Sequence, residues 1–205
     1  MDEQTVQFYD ENSADTADRY DSVSGGICNF FTTSFIPKSK ILDIGCGSGR
    51  DLQILKTMGF DVRGVDPCKE FVDIIKQNKQ DLQDKVIVDS LPNLAQTDDN
   101  EFDGVLCTAV LMHLPEEQLF DASFAIRRVL KENGRLLLSI PLEDKTVDPK
   151  TNRDKRGRLF NGITPENLQL IFERIGFKLI NRWQNDDSFN RDYRKWVTML
   201  FKINK

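Results

Sequence analysis

The segment Leu42-Asp43-Ile44-Gly45-Cys46-Gly47-Ser48-Gly49 constrains what this chain can fold into more than any other. An apolar run from Lys40 to Ile44 enters three glycines at alternate positions. Asp51 to Met58 follows, with Leu52, Leu55 and Met58 on one helical face. Glycines directly after a strand let the backbone turn sharply and come within contact distance of a ligand. Strand, glycine turn and helix in that order open a parallel α/β sheet.

The pattern then repeats. Gly59 ends the first helix, Asp61 to Val65 reads as a second strand, and Lys69 to Lys79 as a helix with Phe71, Val72, Ile74 and Ile75 on its apolar side. Lys85 to Val88 and Phe102 to Cys107 are the third and fourth strands. A long helix is expected from Pro115 to Leu130, with Leu119, Ala122, Phe124, Ile126, Val129 and Leu130 in the core. Asn133-Gly134 stops it, and a fifth strand runs from Arg135 to Ile140 and ends at Pro141. Thr164-Pro165-Glu166 is an N-cap, proline and acidic first turn for a helix closed by Gly176. Two β-rich runs, Phe177 to Trp183 and Lys195 to Ile203, have no helix between them, so one strand must be antiparallel. The expectation is one domain over residues 1–205, a doubly wound, mostly parallel seven-stranded sheet. Residues 1–36 would form a helical flap and residues 143–163 a basic loop.

The acidic residues around the glycines narrow the ligand. Asp43, two residues before Gly45, suits a cationic group better than a pyrophosphate, and a dinucleotide fingerprint would need glycine where Arg50 stands. Asp66 ends the second strand, where a carboxylate can accept both ribose hydroxyls; with Pro67 behind it, Asp66 also reads as a helix start. Asp89-Ser90-Leu91 holds the corresponding place after the third strand, suited to an adenine ring.

Four segments, Ile41 to Gly49, Val62 to Asp66, Phe102 to Pro115 and Leu130 to Leu136, together resemble the class I S-adenosylmethionine (SAM)-dependent methyltransferases over about residues 38–142. The resemblance implies SAM as cofactor. Gly45, Cys46, Gly47 and Gly49 would line its methionine part, Asp66 and Pro67 the ribose, and Asp89, Ser90 and Leu91 the adenine. Thr108 and Ala109 would stand at the methyl-transfer face. Tyr9-Asp10-Glu11-Asn12 and Ala17-Asp18-Arg19-Tyr20 are similar to the flap of small-molecule members. The tail from Asp187 to Thr198 is loosely similar to a bacterial subgroup related to tellurite-resistance methyltransferases.

Methyl transfer is an in-line displacement, so alignment and exclusion of water carry most of it. A base is needed only where the acceptor atom bears a proton. His113, the sole histidine, and the phenols Tyr9 and Tyr20 are the candidates, each with packing as its plainer role. The Asp/Asn-Pro-Pro-aromatic segment of nucleic-acid amino-methyltransferases has no counterpart at Thr108-Ala109-Val110-Leu111, nor does Cys107 follow a proline.

Net charge is −5, which argues against non-specific nucleic-acid binding. It is unevenly spread: residues 150–205 carry thirteen basic and six acidic side chains, a net +7, against −12 for residues 1–149. Lys150, Arg153, Lys155, Arg156 and Arg158 are the densest part, read either as a solvated loop or as a rim on which Arg156 and Arg158 meet an anionic substrate. Cys28, Cys46, Cys68 and Cys107 have no metal-site spacing, and neither signal peptide nor membrane span is apparent, which favours the cytoplasm. The expected function is methylation of a small metabolite. A regulatory or inactive SAM-binding module, a methyltransferase acting on a macromolecule and a nucleotide-dependent oxidoreductase are the alternatives.

Overall fold

A computed structural model describes residues 1–205. Seven strands form one sheet in the order β3-β2-β1-β4-β5-β7-β6: β1 (Lys40–Ile44), β2 (Asp61–Asp66), β3 (Val86–Val88), β4 (Phe102–Thr108), β5 (Leu130–Asp144), β6 (Phe177–Asp186) and β7 (Arg194–Ile203). All pairings among β1 to β5 are parallel, and β7 runs antiparallel between β5 and β6. This is the expected sheet, with β7 as its antiparallel strand. In β1 Ile41, Leu42, Asp43 and Ile44 are all buried, as a parallel strand covered on both faces requires.

Side chains alternate between two cores. Leu136, Leu138 and Ile140 of β5 pack with α6 (Leu119–Val129) and α7 (Pro165–Arg174). Leu137 points to the other face, with Leu52 and Leu55 of α4 (Arg50–Thr57) and Val72 and Ile75 of α5 (Lys69–Asn78). The Thr164 hydroxyl caps α7 by accepting the Asn167 N–H, as its sequence predicts. Residues 1–36 fold as α1 (Glu3–Glu11), α2 (Ser13–Asp21) and, after a short 3-10 turn, α3 (Phe31–Ser34).

Three local expectations are corrected. Pro115 does not open α6: residues 116–118 make a 3-10 turn first. Phe124 is half exposed on the outer face of α6 rather than in the core. Strand β5 does not end at Pro141, which pairs with Trp196 just before a register shift, the kind of irregular place where a strand tolerates a residue without an N–H.

The strand order reverses on either side of β1 and β4. Parallel strands flanking such a reversal leave a crevice at their C-terminal ends, which is where doubly wound sheets bind ligands.

Candidate active site

A cavity of about 220 Å³ opens at that reversal. One end is built by the glycine loop. The Gly45 and Cys46 N–H groups donate to Val65 O at 2.8 and 3.1 Å, which binds the loop to β2. A Cβ on Gly45 would fall 2.4 Å from Val110 Cγ2, so only glycine fits there.

Asp66 is buried at the end of β2. Its two oxygens accept the Gly47 N–H at 2.8 Å and the Cys68 N–H at 2.9 Å. A carboxylate has about four acceptor sites, so two remain for further donors. Burial pushes its carboxyl up to about 6, although both amides pull the other way. Asp43, buried beside it, has Arg50 as a nearby cation, but that guanidinium is paired with Asp51 at 2.9 Å. Burial, with the charges of Asp51 and Asp66, holds Asp43 well above the usual carboxylate range. Two buried carboxylates and a glycine cradle suit a ligand bearing a cationic group and a pair of hydroxyls. SAM has both, so these residues fit it.

The other end is a row of polar side chains on one sheet face. Thr108 of β4, Ser139 of β5 and Thr198 of β7 stand side by side in register, and Arg194 and Trp196 continue along β7 at alternate positions. Asn185 of β6 joins them. Ala109, turning out of β4, has φ 58°, a left-handed conformation that non-glycine residues rarely adopt away from constrained sites. Buried polar atoms normally have partners. Here Thr108 Oγ1, His113 Nε2, Asn185 Oδ1, Arg19 Nε and Arg194 Nε are buried without one, and all five residues line this cavity.

The flap covers the cavity and is fastened on three sides. Asp21 accepts the Ser48 hydroxyl at 2.7 Å, the Tyr9 hydroxyl accepts from Arg158 Nη1 at 2.9 Å, and the Gly26 N–H donates to Ser188 Oγ at 2.9 Å. Tyr20 lies over the glycine loop, 3.8 Å from where a Gly47 Cβ would stand. Burial raises the Tyr9 hydroxyl above its ordinary value, so that phenol stays protonated. His113 sits in the 3-10 turn after β4, with its ring edge-on to Phe160 and Tyr9.

Of the sequence candidates, Asp43, Gly45, Cys46, Gly47, Asp66, Pro67, Thr108, Ala109, Tyr9, Tyr20, His113 and Arg158 come together around this cavity. Five do not. Gly49 is the N-cap of α4, packed toward Ile75. Asp89 uses its carboxylate within its own loop, accepting Ser90 N–H (2.8 Å), Ala95 N–H (3.0 Å), Gln96 N–H (2.9 Å) and the Thr97 hydroxyl (3.0 Å). Four donors fill its acceptor sites and leave none for an adenine amino group. Leu91 is wholly buried in the core, and Ser90 is outside the cavity wall. Arg156 is exposed, its guanidinium 5.7 Å from the Phe8 ring, so the basic loop does not overlook the cavity as a whole.

Two of the five basic side chains from Lys150 to Arg158 are paired with carboxylates. Arg153 pairs with Asp2 at 2.8 Å, and Arg158 pairs with Asp154 at 2.6 Å, buried on both sides. The sequence predicts the β6–β7 pair but not its place in the cavity wall: Arg191 pairs with Asp187 at 2.5 Å, Trp196 Nε1 donates to Asp187 at 3.0 Å, and Arg194 pairs with buried Asp144. Burial opposes ionisation of Asp187, but the bonds from Arg191 and Trp196 hold it down at about 2. The alternation Arg194, Trp196, Thr198 was the available signal.

Residues 42–138 match a family model described as a methyltransferase domain. A ubiquinone biosynthesis O-methyltransferase from Xanthomonas oryzae is 30% identical over 103 residues, which is 49% of this chain and 42% of that protein. The match thus spans under half of the relative's length. Two solved structures share the fold. The 1,6-didemethyltoxoflavin-N1-methyltransferase of Burkholderia thailandensis, solved with S-adenosylhomocysteine and 1,6-didemethyltoxoflavin, has TM-score 0.75 at 17% identity and covers 98% of this chain and 88% of its own. A TehB-like SAM-dependent methyltransferase from Corynebacterium glutamicum has TM-score 0.69 at 22% identity, covering 95% and 99%. Residues 42–138 thus resemble a methyltransferase domain, and the chain shares its fold with SAM-dependent methyltransferases. No helix is long and apolar enough to cross a membrane.

Proposed function

We propose that this protein transfers a methyl group from SAM to a small polar metabolite. The observation that carries this reading is the single cavity joining the glycine loop to a wall of unpartnered polar atoms under a fastened flap. When bound, SAM supplies a methyl group on an electron-poor sulfonium. Asp43 would balance its cationic amino group, and Asp66, already held by Gly47 and Cys68, would accept its ribose hydroxyls. The flap keeps water from the reacting atoms, and Thr108 with the β5–β7 row orients the acceptor.

A cavity closed over by the α1 and α2 helices suits a metabolite better than a polymer strand. The printed names of the relatives, a ubiquinone-pathway O-methyltransferase and a toxoflavin-precursor N-methyltransferase, are consistent with small acceptors. An anionic acceptor would depend on Arg19 rather than on the basic loop. Arg50, Arg158, Arg191 and Arg194 each have a carboxylate partner, whereas Arg19 lies against the adjoining rings of Tyr20 and Phe189 with no ion pair.

The test is incubation with methyl-labelled SAM and a cell extract divided into small-molecule, protein and nucleic-acid fractions. Label in an identified small molecule is the expected result. Label confined to protein or nucleic acid, or no label with SAM bound, contradicts the proposal.

A further inference from the structure

His113 is the sole histidine of the chain, and its ring is set for one direction of proton transfer. Nδ1 lies 2.6 Å from Leu159 O. A carbonyl has no proton to give, so Nδ1 must carry one and donate it. In a neutral imidazole the other nitrogen then bears the lone pair. That nitrogen, Nε2, is buried at the cavity wall and has no partner. The backbone acceptor sits on the loop 46 residues away, and that loop is pinned to α1 by the Leu159 N–H donating to Thr5 Oγ1 at 2.9 Å. Closing the flap and fixing the tautomer are therefore parts of one arrangement.

We infer that His113 Nε2 takes the proton of the acceptor during methyl transfer, so the substrate class is a hydroxyl or ring N–H compound rather than a nucleophile with no proton to lose. This rests on the function proposed above. In the step, an acceptor lone pair forms the new O–CH3 or N–CH3 bond. The S–CH3 bond breaks and its electron pair stays on sulfur, leaving a neutral thioether. The acceptor's O–H or N–H proton passes to Nε2, and the ring becomes an imidazolium with Nδ1–H still on Leu159 O. Solvent removes that proton when the flap opens.

The groups facing the ring are Tyr9 on α1, Asp154 and Arg158 on the loop, and Arg194 on β7. Burial first, with the charges of Arg158 and Arg194, brings the ring down to about 4, so it stays neutral and ready to accept across the physiological range. A weak base suffices here. An oxygen or nitrogen that has gained a methyl group while keeping its proton becomes strongly acidic, so even a depressed imidazole will take that proton.

Because there is one histidine, a ¹⁵N-histidine spectrum assigns itself. The expected spectrum is the Nδ1–H tautomer, unchanged between pH 8 and 6. An Nε2–H tautomer overturns the inference whatever the acceptor. Three probes test the chemistry with SAM: 3,4-dihydroxybenzoate for hydroxyls, uracil for ring N–H, and iodide, which has no proton to lose. His113→Asn should bind S-adenosylhomocysteine within about twofold of the parent. It should methylate the protic probe, or the protic metabolite labelled in the extract, about 10²–10⁴-fold more slowly. The deficit should shrink at alkaline pH as the acceptor loses its own proton, which a merely misfolded site would not do. Methylation of iodide alone, or transfer independent of His113, overturns the inference. No methylation of any probe or extract, with S-adenosylhomocysteine still bound, overturns the proposed function and this inference with it.

Discussion

The Asp66 carboxylate accepts the Gly47 N–H at 2.8 Å, and this bond ties the end of β2 to the glycine loop after β1. The same side chain thus shapes the loop and faces the cavity. Its burial has an energetic consequence. A carboxyl whose folded value is raised contributes stability that is complete below its unfolded value of 3.8 and is lost as the pH rises through about 6. Asp43 is shifted in the same direction. Burial in this fold therefore makes the anionic forms of both Asp66 and Asp43 costly.

A ligand that donates to those anions should relieve that cost. The rise in melting temperature produced by saturating S-adenosylhomocysteine is expected to be larger at pH 7.5 than at pH 5. Its dissociation constant should increase as the pH falls below about 6, when Asp66 takes up a proton. Differential scanning fluorimetry across this range, with calorimetry at its two ends, measures both. A shift that does not vary with pH would mean that neither carboxylate meets the ligand.

Asp89→Asn tests the reassignment of Asp89 from ligand to loop. Whichever way the new amide turns, its NH2 replaces one carboxylate oxygen and faces that oxygen's two donors, either the Ser90 and Ala95 N–H groups or the Gln96 N–H and Thr97 hydroxyl. Bonds to charged groups contribute about 1.5–3 kcal/mol each, so a loss of roughly that size in urea denaturation is expected. Cofactor affinity should change much less than stability does. A folded variant of parental stability with tenfold weaker affinity would restore Asp89 to the adenine site.

Arg156 and Arg158 should behave oppositely. Arg156 is exposed, and Arg156→Ala is expected to change stability by no more than about 0.5 kcal/mol and leave the Michaelis constant of the acceptor unaltered. Arg158→Ala would strand Asp154 as a buried, unpaired charge, at a cost of about 3–5 kcal/mol. It would also release Tyr9 from the loop. Thermal denaturation and steady-state kinetics at low salt distinguish the two. Equal, small effects in both variants would mean that the basic loop does not brace the flap.

Local signals made the frame legible from sequence. The run Lys40–Ile44, the glycines, Asp66 and the Thr164 cap each act within a few residues, and each stands where its neighbours imply. What the sequence hid depends on long-range partners. Asp89 looked available because its donors at Ala95, Gln96 and Thr97 belong to a loop with no periodicity. Arg194 finds Asp144 only because β7 inserts antiparallel beside β5, and His113 meets Leu159 across 46 residues. Phe124 misled because apolar residues are often left exposed, so hydrophobicity alone does not settle burial.

The cofactor end of the cavity is the part on which everything else depends, and equilibrium titration with S-adenosylhomocysteine tests it most directly. The parent should bind one equivalent with micromolar-range affinity and show no heat with NAD. Asp66→Ala should bind about ten- to a hundredfold more weakly, the loss of a charge-assisted hydrogen bond. Binding of NAD, no heat with S-adenosylhomocysteine, or an Asp66→Ala variant within twofold of the parent would contradict the account.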